Sequence, residues 1–335
     1  MPTDTASNDT ITYIEAISMA LRDELVLDPG VFIMGQDVAE FGGAFKVTKG
    51  FVEEFGAERI VNTPISESGA IGMAVGAALV GRRPVVEMQF ADFISCGFNQ
   101  VVNVAAKMFW RTGCPVPIVI RCPTGGGAGA GAFHSQCVEA WFLHTPGLKV
   151  VAPAWPSDAY VLLRSAIRDP NPVLYFEHKY LYRRGKEARP VFEQAIQRAA
   201  GLGSARVLRP GKHVTLLSYG WMVHYALEAA ETAAKNEVST EVIDLRTLAP
   251  LDEDLILESV RRTGKVLIVH EACLTGGFGG ELAARIAEKA FEFLDGPVQR
   301  IAYPDHPIPF HRGLEAACIP SPSRIAEAIC DLRRW

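Results

Sequence analysis

Apolar residues alternate along this chain between short unbroken runs and longer stretches with helical spacing. Ile14, Ile17, Leu21 and Leu25 follow a helical period, and Thr12 with Glu15 has the spacing of a capping box before them. Residues 31–34 form an apolar run closed by Gly35 and predict a strand. A helix is expected over 46–55 and a strand over 59–62. From Gly69 to Gly81 the chain is built from Gly, Ala and other apolar residues, which predicts a closely packed helix running to the turn Arg82-Arg83-Pro84. A strand over 85–90, a long helix over 92–111 and a strand over 117–122 follow, then a glycine-rich loop over 124–132. Strands at 149–152 and 173–177 flank a helix at 157–168.

The alternation breaks between about 180 and 210, where basic clusters and scattered Gly and Pro take over. It resumes with strands at 214–219, 242–245, 266–270 and 299–302 and helices at 222–235, 254–263, 280–293 and 323–333. Strands alternating with helices argue for parallel sheets covered on both faces. The expected fold class is therefore α/β, in two domains. The expected boundaries are a flexible N-terminus over 1–10, a first domain over 11–180, a linker over 181–210 and a second domain over 211–335.

At 335 residues and 49% hydrophobic, the chain can bury two separate cores. Its net charge of −5 argues against a polyanion-binding surface, so no nucleic-acid partner is expected. No apolar run is long enough to span a bilayer, so no membrane is expected either. Cys96, Cys114, Cys122, Cys137, Cys273, Cys318 and Cys330 form no CxxC pair and read as reduced thiols. Residues 1–10 carry two Asp and no Lys or Arg, unlike a signal or transit peptide. A bacterial or archaeal cytoplasm is expected, or a mitochondrial matrix or plastid if a transit peptide has been removed.

Glu67 stands where a short strand gives way to the small-residue helix. One reading makes it a helix-start acid that interacts with the macrodipole. The other starts from the apolar segment behind it. A carboxyl that loses water there keeps or shares a proton near neutral pH. The Ser66-Glu67-Ser68-Gly69 context favours the second reading. Residues 87–93, Glu-Met-Gln-Phe-Ala-Asp-Phe, lie at a strand's C-terminal end, where α/β sheets place their ligands. Gln89 and the two aromatic rings there suit a flat heterocycle; the other reading is a core strand running into a helix cap at Asp92, and for Phe90 alone that reading is favoured.

The loop holds Gly125-x-Gly127-x-x-Ala130, a degenerate dinucleotide fingerprint, but strand 149–152 ends in Pro153 rather than in a ribose-binding acid. A nicotinamide-dependent oxidoreductase is thus suggested only by this loop. We read the loop as mobile and as carrying His134 to a site mouth, where an imidazole shuttles protons. Cys122, His134 and Cys137 do not make a zinc pattern, and P-loop and GxSxG motifs are absent.

These segments together resemble the beta subunit of the decarboxylating 2-oxo acid dehydrogenase component of the pyruvate and branched-chain complexes. The resemblance covers 10–335. It rests on Asn62-Thr63-Pro64-Ile65-x-Glu67, Glu87-x-Gln89-Phe90-x-Asp92-Phe93, His134-Ser135-Gln136 and His144-Thr145-Pro146-Gly147-Leu148-Lys149-Val150-Val151. His270-Glu271-Ala272 and Thr275-Gly276-Gly277-Phe278-Gly279 extend it to the second domain. It implies a transketolase-like pyrimidine-binding domain followed by a transketolase C-terminal-type domain. It also implies thiamin diphosphate as cofactor. Glu67 is then the carboxyl that hydrogen-bonds ring nitrogen N1′ and promotes the imino tautomer. Ile65, Gln89 and Phe93 match the positions around the aminopyrimidine; the family often has Tyr at Phe93, which keeps the stacking surface and adds a hydroxyl. His134 matches the histidine of acyl transfer to the lipoyl group. The carbonyls of Ile118, Ala166, Asp169 and Asn171 match a potassium site.

Thiamin enzymes hold the diphosphate through Mg²⁺ in a Gly-Asp-Gly segment, and this chain has none. The resemblance therefore implies an alpha subunit that supplies Mg²⁺ and the diphosphate site in an α2β2 heterotetramer. The second domain is expected to meet a dihydrolipoyl acyltransferase core with its lipoyl domain. The activity implied is oxidative decarboxylation of a 2-oxo acid with a lipoyl disulfide as acceptor. Residues 46–50 look more like pyruvate or acetoin enzymes. Phe133-His134-Ser135-Gln136 and residues 176–183 lean toward branched-chain ones. An acetoin dehydrogenase subunit and an assembly subunit without chemistry are the alternatives; an assembly subunit has no reason to keep Glu67, Gln89 and His134 together.

Overall fold

The computed structural model describes residues 9–198 and 200–335; most of the segment 1–10 lies outside them. The first helix, Tyr13–Leu27, opens on the capping box read from the sequence. The Glu15 N–H donates to Thr12 Oγ1 at 3.4 Å, and the Thr12 N–H donates to Glu15 Oε2 at 2.8 Å. Its buried stripe, which includes Ile17, Ala20 and Leu21, packs on helix Pro156–Arg168. Buried Glu24 ties the two helices through Arg164 and Arg168, each at 2.6 Å.

The chain forms two compact units, 1–123 with 145–202 and 124–144 with 203–335. In the first, the strands lie in the order Lys149–Val151, Val173–His178, Val119–Thr124, Arg83–Glu87, Val31–Gly35 and Ile60–Asn62. Strands Val31–Gly35, Ile60–Asn62, Arg83–Glu87 and Val119–Thr124 pair in parallel, as do Lys149–Val151 and Val173–His178. Strands covered on both faces have no need to alternate, which is why they read as unbroken apolar runs.

Three expectations change in this unit. The helix expected over 46–55 shrinks to Phe51–Phe55, because Lys46 (φ 70) and Gly50 (φ 82) adopt left-handed backbone that no helix passes through. The long helix over 92–111 divides into a 3₁₀ turn Ala91–Gly97, a π-helical turn Gln100–Ala105 and an α-helix Ala106–Thr112. Gly97 lies so close to helix Glu67–Leu79 that a Cβ there would come within 2.4 Å of Ile71 Cδ1. The stretch 181–210, read as a linker, holds regular structure. Strand Lys186–Ala188 pairs antiparallel with Thr10–Thr12, and helix Arg189–Arg198 buries Phe192. Strand Arg206–Arg209 follows and belongs to the second unit.

The second unit's strands run Gln299–Tyr303, Val266–Cys273, Val214–Ser218, Thr240–Asp244 and Arg206–Arg209. All pair in parallel except the last, which is antiparallel. Helices Met222–Ala234 and Pro322–Arg333 pack together on this sheet. A short helix, Arg312–Cys318, was not expected; the proline-rich run before it hides any period.

His270 is fully buried in the central part of this sheet, with Nδ1 3.1 Å from the Ala272 carbonyl oxygen, so the neutral ring donates there. Burial pushes its pKa down from 6.5 to about 4. The unfolded chain therefore takes up a proton that the folded one refuses. Stability is full above pH 6.5 and is lost as the pH falls toward 4, by about 3 kcal/mol. Urea unfolding across this window should show His270→Gln losing less stability on acidification than the parent. Equal losses would remove His270 from the acid response.

Candidate functional site

Parallel pairing brings several strand ends to one edge of the first sheet. Gly35 is in register with Asn62 and with Glu87, and Glu87 with Arg121. The residues that follow leave the sheet at the same edge: Gln36, the turn 63–66 that leads into Glu67, and the run from Met88 to Phe93. This is the C-terminal edge at which α/β sheets bind ligands. Gly97 lets turn Ala91–Gly97 sit against the start of helix Glu67–Leu79, so Glu67 and Phe93 belong to packed neighbours.

Glu67 is the first residue of its helix, and Gln36 Nε2 donates to its Oε1 at 3.3 Å. The carboxyl is half-buried. The buried residues of the helix, Ala70, Ile71, Ala74, Val75 and Ala78, line its packed side, while Pro64, Ile65 and Ser66 are exposed. The small-residue helix thus supports Glu67 without sealing it from water, contrary to the sequence expectation. Ile65 is 83% exposed, an unusual position for an isoleucine beside a carboxyl. Gln89 and Phe93 are half-buried. Phe45, Phe90 and Phe93 form an edge-to-face series with centroids 5.5 and 5.6 Å apart.

Beneath this edge lies a charged cluster. Arg121 is completely buried; its Nη1 donates to Glu87 Oε2 at 2.5 Å and its Nε to Glu177 Oε2 at 3.1 Å, with a second bond from Nη2 to Glu177 Oε1. The Tyr182 hydroxyl donates to the same Glu177 oxygen at 2.6 Å. Burial pushes the Glu87 carboxyl up, and Arg121 pulls it back only in part. Burial works against the guanidinium charge, but Glu177 and Glu87 outweigh it and raise the Arg121 pKa. The sequence signal for this cluster is an arginine inside an apolar strand, Val119-Ile120-Arg121-Cys122. Gln36 carried no signal at all.

The potassium quartet lies elsewhere in this unit. The Ile118 carbonyl accepts from Val173 N–H at 3.0 Å, that of Ala166 from Asp169 N–H at 3.2 Å and that of Asp169 from Arg83 Nη1 at 3.4 Å. The Asn171 N–H donates to Asp169 Oδ1 at 2.9 Å, and the Asp169 carboxylate is also paired with Lys149.

His134 falls in the second unit, in the segment 124–144. It is half-buried, between exposed Phe133 and buried Ser135, and its N–H donates to the Gly131 carbonyl at 3.3 Å. A cavity of about 870 Å³ in this unit is lined by Phe133, Gln136, Cys137, Glu271 and Tyr303 among others, so it borders both sides of His134 in sequence. The structure also speaks against the dinucleotide alternative. A pyrophosphate cradle needs open backbone N–H groups. Those of Gly126 and Gly129 instead donate to Glu271 Oε1 at 2.6 Å and Glu315 Oε2 at 2.8 Å.

Residues 9–185 match the model of the transketolase pyrimidine binding domain, and 203–325 that of the transketolase C-terminal domain. Over 328 residues the chain is 43% identical to the 2-oxoisovalerate dehydrogenase subunit beta of Bacillus subtilis, covering 97% of this chain and 99% of that one. The chain belongs to the E1 beta subunits of 2-oxo acid dehydrogenases. This beta subunit is also 42% identical to the mitochondrial pyruvate dehydrogenase E1 component subunit beta-2 of Oryza sativa, over 96% of its own length and 86% of the relative. A solved split-gene transketolase, described as an inactive beta4 tetramer, superposes with a TM-score of 0.80 at 24% identity over 97% of this chain and 99% of that one, a likeness of fold. The transketolase-like α/β fold expected from the sequence is therefore the fold of this beta subunit.

Proposed function

We propose that this beta subunit supplies the pyrimidine-binding half of a thiamin diphosphate site. With an alpha subunit it catalyses oxidative decarboxylation of a 2-oxo acid and acyl transfer to lipoamide. The observation that carries this reading is Glu67 at the strand edge, with one oxygen held by the Gln36 amide at 3.3 Å and the other open for a ring nitrogen. The donor set fits an aminopyrimidine. The carboxyl of Glu67, the amide of Gln89, the ring of Phe93 and the exposed aliphatic side chain of Ile65 are the groups that would meet a flat heterocycle at this strand edge.

Thiamin diphosphate, when bound, supplies an electron sink for the carbanion left by decarboxylation. The part this chain plays is proton placement. Gln36 donates to Oε1, which leaves Oε2 as the oxygen that would hydrogen-bond the ring nitrogen of the bound cofactor. Gln89 and Phe93 orient the ring by an amide contact and by stacking. His134 hands a proton to the departing or arriving group during acyl transfer.

The chain has no Gly-Asp-Gly segment, so Mg²⁺ and the diphosphate belong to the alpha subunit of an α2β2 assembly. The acyl acceptor is the lipoyl domain of a dihydrolipoyl acyltransferase core. A potassium ion at the carbonyls of Ile118, Ala166, Asp169 and Asn171 is not favoured, because Arg83 and Lys149 already bring two positive charges to Asp169. Relatives from both the 2-oxoisovalerate and the pyruvate enzymes are about equally similar, so either acid suits the reading. No helix among the described residues is long and apolar enough to cross a membrane. The place proposed is the bacterial or archaeal cytoplasm, or an organelle; the rice relative is named as mitochondrial.

The test is reconstitution with a co-encoded alpha subunit. Thiamin diphosphate with Mg²⁺ should bind tightly to the mixture and not to the beta chain alone. Turnover of pyruvate, 3-methyl-2-oxobutanoate and acetoin then assigns the substrate. No binding by any such mixture would reduce the chain to an assembly subunit.

A further inference from the structure

The glycines of the loop at 125–131 have a use other than phosphate binding. Within the second unit this segment runs against residues 310–315 in the opposite direction. A Cβ on Gly131 would come within 3.2 Å of Phe310, one on Gly129 within 2.6 Å of Arg312 and one on Gly126 within 2.8 Å of Glu315. Gly129 also has φ +73, which side chains rarely adopt. The glycines are seats for three side chains of one short segment.

Two carboxylates fasten the seated loop. Glu315 is 2% exposed and Glu271 8%, and they accept from Gly129 N–H at 2.8 Å and Gly126 N–H at 2.6 Å. Bonds from N–H groups to carboxylates are roughly twice as strong as neutral ones. Breaking one in a dry place leaves both a donor and a charge unmet. The Gly131 carbonyl then accepts from His134 N–H at 3.3 Å, so a shift of 126–131 moves the imidazole with it.

We propose that Glu315, with Glu271, is a positioning residue that holds the loop so that His134 meets the acyl group in register. The proposal rests on the acyl-transfer reading of His134. It replaces the picture of a mobile loop with one of a fastened loop. Misplacing a reacting group by about 1 Å costs on the order of a hundredfold in rate. Glu315 touches no reacting atom, so only the step that uses His134 should suffer.

The test uses the assembled enzyme and two assays, decarboxylation with an artificial electron acceptor and the lipoamide-coupled reaction. Glu315→Leu should lower the coupled rate by about a hundredfold and the artificial-acceptor rate by no more than about threefold. Glu315→Gln keeps a carbonyl oxygen for Gly129 N–H and should recover most of the coupled rate. Gly126→Ala leaves both acids in place but presses a methyl against Glu315, and should show the same split as Glu315→Leu. Hydrogen exchange gives a readout independent of activity. The Gly126 and Gly129 amides should be protected in the parent and released in Glu315→Leu. Open-loop exchange rates at both amides in the parent, or equal losses in the two assays, overturn the proposal. His134→Ala, run in parallel, tests the reading beneath it. If that variant keeps its coupled rate, the acyl-transfer role fails, while amide exchange still decides whether the loop is fastened.

Discussion

Glu67→Ala should fold and assemble like the parent, and the assembled enzyme should turn over its 2-oxo acid at least about a hundredfold more slowly. The fold survives because Glu67 is half-buried and its hydrogen bond to Gln36 is long, at 3.3 Å. Losing a carboxylate from a helix start costs about 0.3–1 kcal/mol, well inside the stability of a domain. A fall of that size is expected because, on the proposed reading, Glu67 is the group that exchanges a proton with the ring, and a positioned acid–base group contributes roughly 10²–10⁴-fold. Glu67→Gln separates the two halves of the role. Its amide can donate a hydrogen bond to a ring nitrogen but cannot carry a proton to and fro, so it should keep cofactor affinity better than it keeps turnover. Artificial-acceptor decarboxylation, thiamin diphosphate titration and thermal unfolding on the same preparations give the comparison. An assembled Glu67→Ala enzyme within a few-fold of the parent would overturn the assignment.

Arg121→Met is the change with the largest expected effect on stability. It leaves Glu87 and Glu177 buried around a thioether, with no cation between them. Removing one partner of a buried ion pair costs about 3–5 kcal/mol, a large share of the roughly 5–15 kcal/mol that holds a domain folded. We expect the urea midpoint to drop sharply and soluble yield to fall at 37 °C. Glu87→Gln should cost far less, since Arg121 keeps both of its bonds to Glu177 and one of two like charges is gone. This contrast identifies charge, not volume, as the cause. An Arg121→Met chain within about 1 kcal/mol of the parent would show that the cluster contributes little. Glu87 also starts the run to Gln89 and Phe93, so a shift here should weaken cofactor binding by the reconstituted enzyme.

Much of the fold was legible because parallel strands covered on both faces read as apolar runs and amphipathic helices keep their period. Strand Val31–Gly35, helix Pro156–Arg168 and helix Met222–Ala234 all lie within a residue or two of where the pattern puts them. Tertiary context hid the rest. The apolar content of 92–111 looks like one helix, yet the approach of Gly97 to Ile71 breaks it into turns of different pitch. Residues 46–50 cannot join a helix because of backbone conformations at Lys46 and Gly50 that no composition rule reports. Among site residues, Glu67, Gln89 and Phe93 stood out from their context at a strand edge. Gln36 did not, since its role depends on a neighbour thirty-one positions away. The carboxylates that fasten the glycine loop were hidden for the same reason: Glu271 and Glu315 lie 145 and 186 positions from the amides they accept.

The segment 124–144 belongs to the second unit although the first unit flanks it on both sides in the chain. That bears on how such a gene can be divided. A break at position 203, where the long part of the second unit begins, would send the glycine segment off with one product and residues 310–315 with the other. Glu271 and Glu315 would part from the Gly126 and Gly129 amides, and the backbone that leads to His134 would lose those two bonds. A swap of one unit for a distant relative's would therefore need three junctions, at 123/124, 144/145 and 202/203, where a simple two-domain map suggests one.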